Sequence, residues 1–447
     1  IWKSASNGIG IEAGSYANIN NNTISHFHKR GIRFINSAGI VDNNEVIGDN
    51  VDGTSRVQNL VNLWGGSTVE VSNNNLHNAL TSGGAPTWDS PAIFISSYGG
   101  SGNSQADIHD NEIYNSDTGV VITSIYADTD ASSAEITNND FHDLSRAINF
   151  EKASGSATVN ENSFVNVNKV IDAHDGDSLL ESPPAINAKN NWWGQAVPDF
   201  ASLTYSQVDH DPWYMDAEMN TLSSEVGLGH VYVDSDYTEG GINDGHYFGF
   251  NAFDNIPDGI AAVDENGTVH VMNGSYGLNG TLNIIKPLTL DGESETNTII
   301  DASTVNGYGI TNPNDINNIT LSNFTLKGPS VAAGTSYGLK MTHTDTLVIT
   351  NVTVIGSGRS EVDFNTVSNA TLTNVTATGS GTGGVGLALT NSTNVNVNGL
   401  TTSGNTWGAV ALYDTTTHIT FDNNCSFEEG NSIYTDVEHT GDIATVN

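Results

Sequence analysis

The sequence predicts an all-β fold made of two parallel β-helices in tandem, and three observations support this prediction. A unit of the form apolar-x-x-Asn-x-apolar recurs through the first half, a short apolar strand follows most copies of it, and a related unit recurs in the second half. Self-similarity at a period of roughly 20 to 50 residues is typical of a solenoid. The asparagines of the first-half unit are Asn22, Asn44, Asn74, Asn111, Asn139, Asn162 and Asn191.

The second apolar strand of each first-half repeat has a regular place in the coil. Parallel strands need a crossover between them, and the remainder of each repeat supplies it. Asparagine suits the turn because it tolerates left-handed backbone angles, and stacked coils let its amides hydrogen-bond as a ladder. We therefore expect these asparagines to be structural. The second strands centre on Ile32, Val61, Ile93, Val120, Ile148 and Ile171.

Composition and repeats together predict the domain organisation. The first β-helix is expected to span residues 1–213, and an acidic stretch with a Gly-Gly pair at 214–247 is expected to connect it to the second, at 248–447. In the second half, Thr and Val dominate the strands, as a pleated, half-buried surface favours. The turn positions there are residues 323, 351, 374, 399 and 423.

A short amphipathic helix is predicted near residues 256–264, before the strands of the second β-helix. Asn255 can cap this helix, and Pro257 suits its first position. Ile256 and Ile260 fall on one face, four residues apart. The helix is therefore expected to bury that face against neighbouring strands.

The end of the first half resembles a known family. The motif is Asn191-Trp192-Trp193-Gly194, followed some twenty residues later by Pro212-Trp213. It is similar to the closing turn of right-handed parallel β-helix domains of the pectin-lyase-like superfamily. The resemblance implies a right-handed coil, an aromatic plug at the end of the apolar bore, and a capping role for the helix near 256–264. The superfamily includes polysaccharide lyases, glycosidases, tail-spike depolymerases, adhesins and surface-layer proteins, so the fold does not decide the activity.

The two ends of the sequence lack the features that this resemblance implies for a whole domain. Residues 7–11 already match a second-strand unit with no capping helix before them, and no aromatic closing motif follows residue 435. We therefore expect the first β-helix to be truncated at its N-terminus and the chain to be a segment of a longer protein.

Composition excludes several classes of function. The 447 residues carry 13 Lys and Arg against 51 Asp and Glu, a formal net charge of −38. Such a field repels nucleic-acid phosphates and anionic membrane surfaces. The chain has no apolar run long enough to span a bilayer. A single cysteine, Cys425, excludes an internal disulfide and a cysteine zinc cluster.

Uneven spacing of the repeats predicts a groove on the first β-helix. Loops that border this groove are expected where repeats have excess residues, near 47–59 and 77–91 and near 97–107, 124–134 and 174–185. Exposed aromatic rings beside acids suit stacking on sugars, although Trp64 directly follows an apolar strand and is alternatively a cap of the core. The candidate lining residues are Trp64, His77, Trp88, Asp89 and Tyr98.

Catalytic residues cannot be assigned from the sequence, whereas calcium is a credible cofactor. His26, His28, Lys29, Arg30 and Arg33 form the concentrated cationic group, which suits an acidic sugar or is simply a solvated edge. No pair of carboxylates stands out as a glycosidase pair. Calcium takes several oxygen ligands, which closely spaced aspartates provide. The candidate ligands are Asp172, Asp175, Asp177, Asp128 and Asp130.

Together these patterns favour an extracellular structural or adhesive protein of the cell surface, such as a surface-layer, filament or adhesin component. Its expected partners are further copies, other surface proteins or polysaccharide. The alternative is a carbohydrate-active or carbohydrate-binding domain, a polysaccharide lyase or glycosidase, with substrate in the groove of the first β-helix. A cation or paired carboxylates clustered beside a groove would favour this alternative.

Overall fold

The computed structural model divides the chain into two compact units, Ile1–Val226 (unit 1) and Gly227–Asn447 (unit 2). Each unit is a parallel β-helix, as the sequence predicted. In the part of the chain that the structure describes, no helix is long and apolar enough to cross a membrane. The described residues are 7–12, 14–49, 57–81, 90–97, 102–123, 132–151, 155–175, 178–180, 183–205, 207–239, 243–313, 315–331, 334–435 and 444–446.

Each coil of unit 1 has three faces. Face A precedes the asparagine turn, face B follows it, and face C closes the coil. Face A contains the strands Tyr16–Asn20, Ala38–Asp42, Thr68–Ser72, Gln105–His109, Ser133–Thr137, Ser156–Asn160, Ile186–Asn187 and Val208–Asp209. Face B contains Thr23–Ile24, Glu45–Ile47 and Asn75–His77. Face C contains Asn7–Glu12, Arg30–Ile35, Asn59–Trp64 and Pro91–Ser96, while Glu112–Thr123, Asp140–Phe150 and Ser163–Asp172 run through faces B and C.

Strands of successive coils pair in parallel and in register. On face A, Ile108 lies opposite Val71 of the preceding coil and Ile136 of the following one. Side chains alternate along each strand, so these apolar residues all point into the bore and are fully buried. A short antiparallel pair, His174–Asp175 with Ser178–Leu179, lies outside the coil.

The asparagine ladder of unit 1 is present, with one correction to its expected geometry. Oδ1 of Asn111 accepts from the backbone N–H and Nδ2 of Asn74, both at 2.9 Å, and Nδ2 of Asn111 donates to Asn139 Oδ1 at 2.9 Å. Left-handed backbone angles occur one residue earlier, at positions such as Asn73 and Asn138. The ladder asparagine is thus the buried residue after the turn.

Unit 2 also has three faces, named here first, second and third in the order that the chain visits them. The first face contains His230–Val233, Ala252–Phe253, Thr268–Val271, Leu288–Gly292, Thr393–Asn398, Thr417–Phe421 and Ala444–Val446. The second contains Gly274–Gly277, Thr298–Asp301, Thr401–Ser403 and Ser426–Phe427. The third contains Leu282–Asn283, Tyr308–Thr311, Val385–Thr390, Gly408–Tyr413 and Ile433–Thr435, while Ile319–Lys327, Tyr337–Ile355 and Val362–Thr378 run through more than one face.

The predicted capping helix is confirmed as Ile256–Ala262. The Asn255 side chain accepts from the Asp258 N–H at 3.0 Å, and Pro257 occupies the first turn. Ile256 and Ile260 are buried in the core of unit 2. The helix therefore covers the apolar interior that the first coil would otherwise expose to water.

The division between the units differs from the expected connection at 214–247. The boundary falls at Val226, and the strand His230–Val233 already pairs with Thr268–Val271 in unit 2. Val231 and Val233 are fully buried there. This strand was missed because its four residues are too short for a clear alternation and are followed by acidic sequence. The other helices in the described residues are Phe200–Leu203, Ser223–Val226 and the 3₁₀ turn Asn243–Gly245.

An aromatic cluster lies at the end of the unit 1 bore. Trp193 is buried between Phe164 and Phe200, with ring centroids 5.6 and 5.3 Å away. Phe200 also stacks on His210 at 3.5 Å and meets the edge of Trp213 at 5.1 Å. The last coil has no following coil to cover it, so these rings take over that role.

Candidate functional site

Trp64 lies on face C of unit 1 under two arginines. The Arg30 guanidinium carbon is 4.4 Å from the centre of the Trp64 ring, and that of Arg33 is 5.3 Å away. Arg33 also donates to Glu12 Oε1 at 2.8 Å. Two members of the predicted cationic group therefore stack on a predicted groove residue, as cations commonly do on indole rings.

His77 belongs to a different cluster, on face B. Its ring stacks on Tyr114 at 4.8 Å, and Tyr114 stacks on His142 at 4.7 Å, with nearly parallel planes. Burial alone lowers the pKa of His142, but hydrogen bonds to Asp143 and Glu112 raise it above its ordinary value. The structure does not bring His77 and Trp64 together. The other predicted lining residues, Trp88, Asp89 and Tyr98, lie outside the described residues.

Asp172, a buried residue at the end of a face C strand, is held by Arg146 and His174. Its carboxylate accepts from Arg146 Nε at 2.7 Å, lies 2.6 Å from His174 Nδ1, and accepts from the Ala173 N–H at 2.9 Å. Burial alone raises the pKa of Asp172, but these hydrogen bonds hold it below its ordinary value. Both oxygens of the Asp172 carboxylate therefore have hydrogen-bond partners within the protein.

The calcium prediction remains a prediction. Asp175 lies in the strand His174–Asp175, whereas Asp128, Asp130 and Asp177 lie outside the described residues. Within the ranges that are described, no group of three or more His, Cys, Asp or Glu is arranged to hold a metal ion.

A shallow groove of about 710 Å³ runs across the outer side of face A. Its floor is formed largely by small residues, and Glu70, Asp107 and Glu135 stand in register in successive coils. His109 pairs with Glu70 at 3.5 Å. The groove is therefore acidic, and among the described residues that line it Tyr16 is the one aromatic ring.

A third group of side chains, on the outer side of the third face of unit 2, was missed in the sequence. We call it the aromatic–cationic surface. The column that runs along it consists of Thr311, Lys340, Asp363, Ala388, Ala411 and Tyr434, each opposite the next in neighbouring strands. Its aromatic members are Tyr308, Tyr337, Trp407, Tyr413 and Tyr434, and its charged members are Lys340, Arg359 and Asp363.

One end of the aromatic–cationic surface is aromatic and polar at once. Tyr308 and Tyr337 lie 5.9 Å apart. The Lys340 ammonium is 4.8 Å from the centre of the Tyr337 ring, and the Arg359 guanidinium carbon is 5.9 Å from it. Lys340 also forms an ion pair with Asp363. Hydrogen-bond donors and acceptors thus stand directly beside an aromatic face.

The other end of the aromatic–cationic surface is almost wholly apolar. Trp407 lies 4.6 Å from Tyr434 and 6.3 Å from Tyr413. Between the two ends, Ala388 and Ala411 belong to a small buried apolar cluster, against which Tyr413 packs. Lys340 and Ala411 are three coils apart, which corresponds to about 14 Å at the usual strand spacing. The surface is therefore an elongated strip with aromatic rings at both ends.

Glu361 immediately precedes the strand Val362–Thr378 that carries Asp363, and its side chain is fully buried. Its Oε1 accepts from the Gly356 and Ser357 N–H groups at 3.0 and 3.1 Å, and Ser357 Oγ lies 2.5 Å from its Oε2. Burial raises the pKa of Glu361 to about 7. This carboxyl is structural, because it has no access to the outer surface.

The aromatic–cationic surface had a weak signal in the sequence. Tyr308 and Tyr337 are 29 positions apart, close to one repeat, and Trp407 and Tyr434 are similarly spaced. Such aromatic residues in outward positions of successive repeats become informative only when the register between repeats is known.

Comparison with known proteins identifies the family. The family model described as "right handed beta helix region" matches residues 7–191 and 290–446. The chain belongs to this family. The family assignment supports the predicted right-handed coil. Comparison of this right-handed β-helix protein with curated proteins gave no match.

Solved structures similar to the right-handed β-helix protein include two enzymes and a phage protein. A pectin methylesterase mutant in complex with a hexasaccharide is 15% identical, over 48% of this chain and 90% of that one, with a TM-score of 0.28. A PL6 family alginate lyase is 11% identical, over 99% and 98%, with a TM-score of 0.24. The receptor-binding tailspike protein of bacteriophage Det7 is 12% identical, over 88% and 70%, with a TM-score of 0.13.

Proposed function

We propose that this right-handed β-helix protein is an extracellular adhesive component of a surface, and that it binds polysaccharide along the aromatic–cationic surface of unit 2. The observation that carries the proposal is the exposure of Trp407 and Tyr434, at 38% and 41%, side by side on one strip. Contiguous exposed apolar rings mark interaction sites, whereas single exposed residues do not.

Aromatic rings and ion-pair groups together suit a sugar chain. The rings offer flat apolar surfaces against which a sugar ring can pack, and their burial supplies most of the contact energy. Lys340 and Arg359 donate hydrogen bonds, and Asp363 accepts them, so sugar hydroxyl groups find both kinds of partner. A few polar groups within an aromatic lining are typical of carbohydrate-sized binding sites.

A neutral polysaccharide fits this surface better than an acidic one. Of the two cations on this surface, Lys340 is already paired with Asp363, and Arg359 donates to the Gly334 carbonyl. The chain as a whole carries a formal charge of −38, which repels a polyanion. Binding through ring contacts and hydroxyl groups is therefore expected to depend little on ionic strength.

Affinity electrophoresis and calorimetry with a panel of neutral and uronate polysaccharides test the proposal. We expect binding to a neutral polymer, weakened at least tenfold by Trp407→Ala or Tyr434→Ala; tenfold corresponds to about 1.4 kcal/mol. Tyr16→Ala is the matched control, since Tyr16 is an exposed ring (66%) beside the face A groove of unit 1. Binding that is lost in Tyr16→Ala but kept in Trp407→Ala would place the site in unit 1 and overturn the proposal.

Catalysis is the second candidate function, because Lys340 and Arg359 supply the clustered cations that a carbohydrate-active site needs. A reducing-end assay on the same panel separates the two. New reducing ends that disappear in Lys340→Gln would identify an enzyme and replace the adhesive proposal. Binding without new reducing ends supports adhesion.

A further inference from the structure

We propose that His230 and His270, on neighbouring strands of the first face of unit 2, form a two-imidazole site for a divalent transition-metal ion such as Cu²⁺ or Zn²⁺. Nδ1 of His230 lies 3.0 Å from Nε2 of His270. The strands are adjacent and parallel, with His230 opposite Thr268 and Tyr232 opposite His270. Imidazole nitrogen is a preferred ligand of both ions.

The separation of the two nitrogens fits coordination to one ion. Metal–nitrogen bonds of about 2.0 to 2.1 Å, at angles between a right angle and the tetrahedral value, place two ligand nitrogens roughly 2.9 to 3.4 Å apart. In the metal-free pair one ring donates a hydrogen bond to the other. When a metal binds, the proton of the donor ring moves to the ring nitrogen that does not face the other histidine. A rotation of the exposed His230 ring then directs both nitrogen lone pairs at the ion.

Neighbouring side chains prepare His270 for this role. Its ring lies 5.0 Å from Tyr232, and Tyr232 in turn stacks on His246 at 3.6 Å, so His270 is held by packing.

Charge and exposure favour a cation at this place. Asp291 lies opposite His270 on the next coil, and the whole chain is strongly negative. His230 is exposed, so water can complete the coordination of the ion. His246 packs on Tyr232, and among the described residues no group of three or more His, Cys, Asp or Glu is arranged to hold a metal ion, so the protein supplies two ligands here.

Copper titration of the untagged full chain tests the site, with calorimetry and electron paramagnetic resonance as readouts. Excess Ca²⁺ is included to occupy carboxylates that collect Cu²⁺ without specificity. We expect one Cu²⁺ per chain with nitrogen hyperfine structure. His230→Gln and His270→Gln should each reduce the affinity at least tenfold, whereas His418→Gln, an exposed histidine elsewhere in unit 2, should leave it unchanged.

Folding and ligand number are checked in the same series. Circular dichroism of each variant establishes that unit 2 is intact, and His246→Gln, which removes the ring that stacks on Tyr232, should reduce the affinity less than His270→Gln does. The proposal is overturned if Ca²⁺ displaces all Cu²⁺ from the wild-type chain, or if the His230→Gln, His270→Gln double variant keeps wild-type affinity. A loss in His246→Gln equal to that in His270→Gln would contradict the two-ligand arrangement.

Discussion

Glu361→Gln is the sharpest test of the interior of unit 2. The Glu361 carboxyl is fully buried, and its hydrogen-bond partners are the neutral Gly356 and Ser357. A buried carboxylate without a cation is costly, so the protonated form is favoured. Glutamine keeps the shape and the accepting oxygen but cannot ionise, and its amide can donate to Ser357 Oγ.

The magnitude follows from the difference in pKa between the folded and unfolded states. Burial raises the pKa of Glu361 to about 7, against an ordinary value of 4.5. A raised carboxyl pKa means that the unfolded state loses the proton first, so stability is complete below about pH 4.5 and declines as the pH rises through about 7. A difference of about 2.5 units corresponds to about 3 kcal/mol.

Urea unfolding at several pH values between about 4.5 and 8 measures this effect. We expect the unfolding free energy of Glu361→Gln, relative to that of the wild-type chain, to rise by about 3 kcal/mol from the low to the high end of this range. The reason is that only the wild type has to ionise a buried group. Glu265→Gln is the matched control, since it removes the same charge from an exposed position of unit 2. It corrects for the relief of charge repulsion in a strongly acidic protein.

One result would refute the reasoning about Glu361. If the pH dependence of Glu361→Gln follows that of Glu265→Gln, ionisation of the buried carboxyl does not cost the folded state free energy. The carboxylate would then be solvated or paired in solution.

Two further predictions concern unit 1. Asn111→Ala should cost about 2 to 4 kcal/mol, because the buried backbone N–H of Asn74 loses its acceptor and Asn74 Nδ2 keeps only the Val41 carbonyl. Asn22→Ala, at the exposed end of the ladder, should cost about 1 kcal/mol or less, and equal losses in urea unfolding would contradict the ladder. Trp193→Ala should cost about 3 to 5 kcal/mol by opening a cavity in the aromatic plug. Differential scanning calorimetry measures this loss, with Trp407→Ala at an exposed position as the control. If Trp193→Ala melts at the same temperature as the control, the aromatic plug does not stabilise unit 1.

Local sequence was sufficient for the fold because each coil repeats the same physical solution. Apolar residues that alternate along a strand must face the bore, and Asn74 or Asn111 identifies the turn in each coil. The helix Ile256–Ala262 was predictable for a similar reason, since its cap and first-turn proline are local signals. The strand His230–Val233 was not predictable, because its four residues show too little apolar alternation to distinguish a strand from a linker.

Side-chain clusters were less predictable, since they depend on which residues meet across coils. Trp64 and His77 are 13 positions apart in the sequence, yet one packs under Arg30 and Arg33 while the other stacks on Tyr114. Insertions of different length separate the coils, so distance along the chain says little about distance across the surface.

Sequence alone therefore decides the architecture of this protein, through the apolar alternation and the asparagine ladder, whose effects are local and are repeated in every coil. Tertiary structure decides which outward side chains become neighbours. Lys340 and Asp363 meet, and so do Trp407 and Tyr434, because pairing between coils sets them in register. His230 and His270, which are 40 residues apart, meet for the same reason. Such contacts follow from the register of parallel strands, which is a property of the folded coil and not of any one repeat.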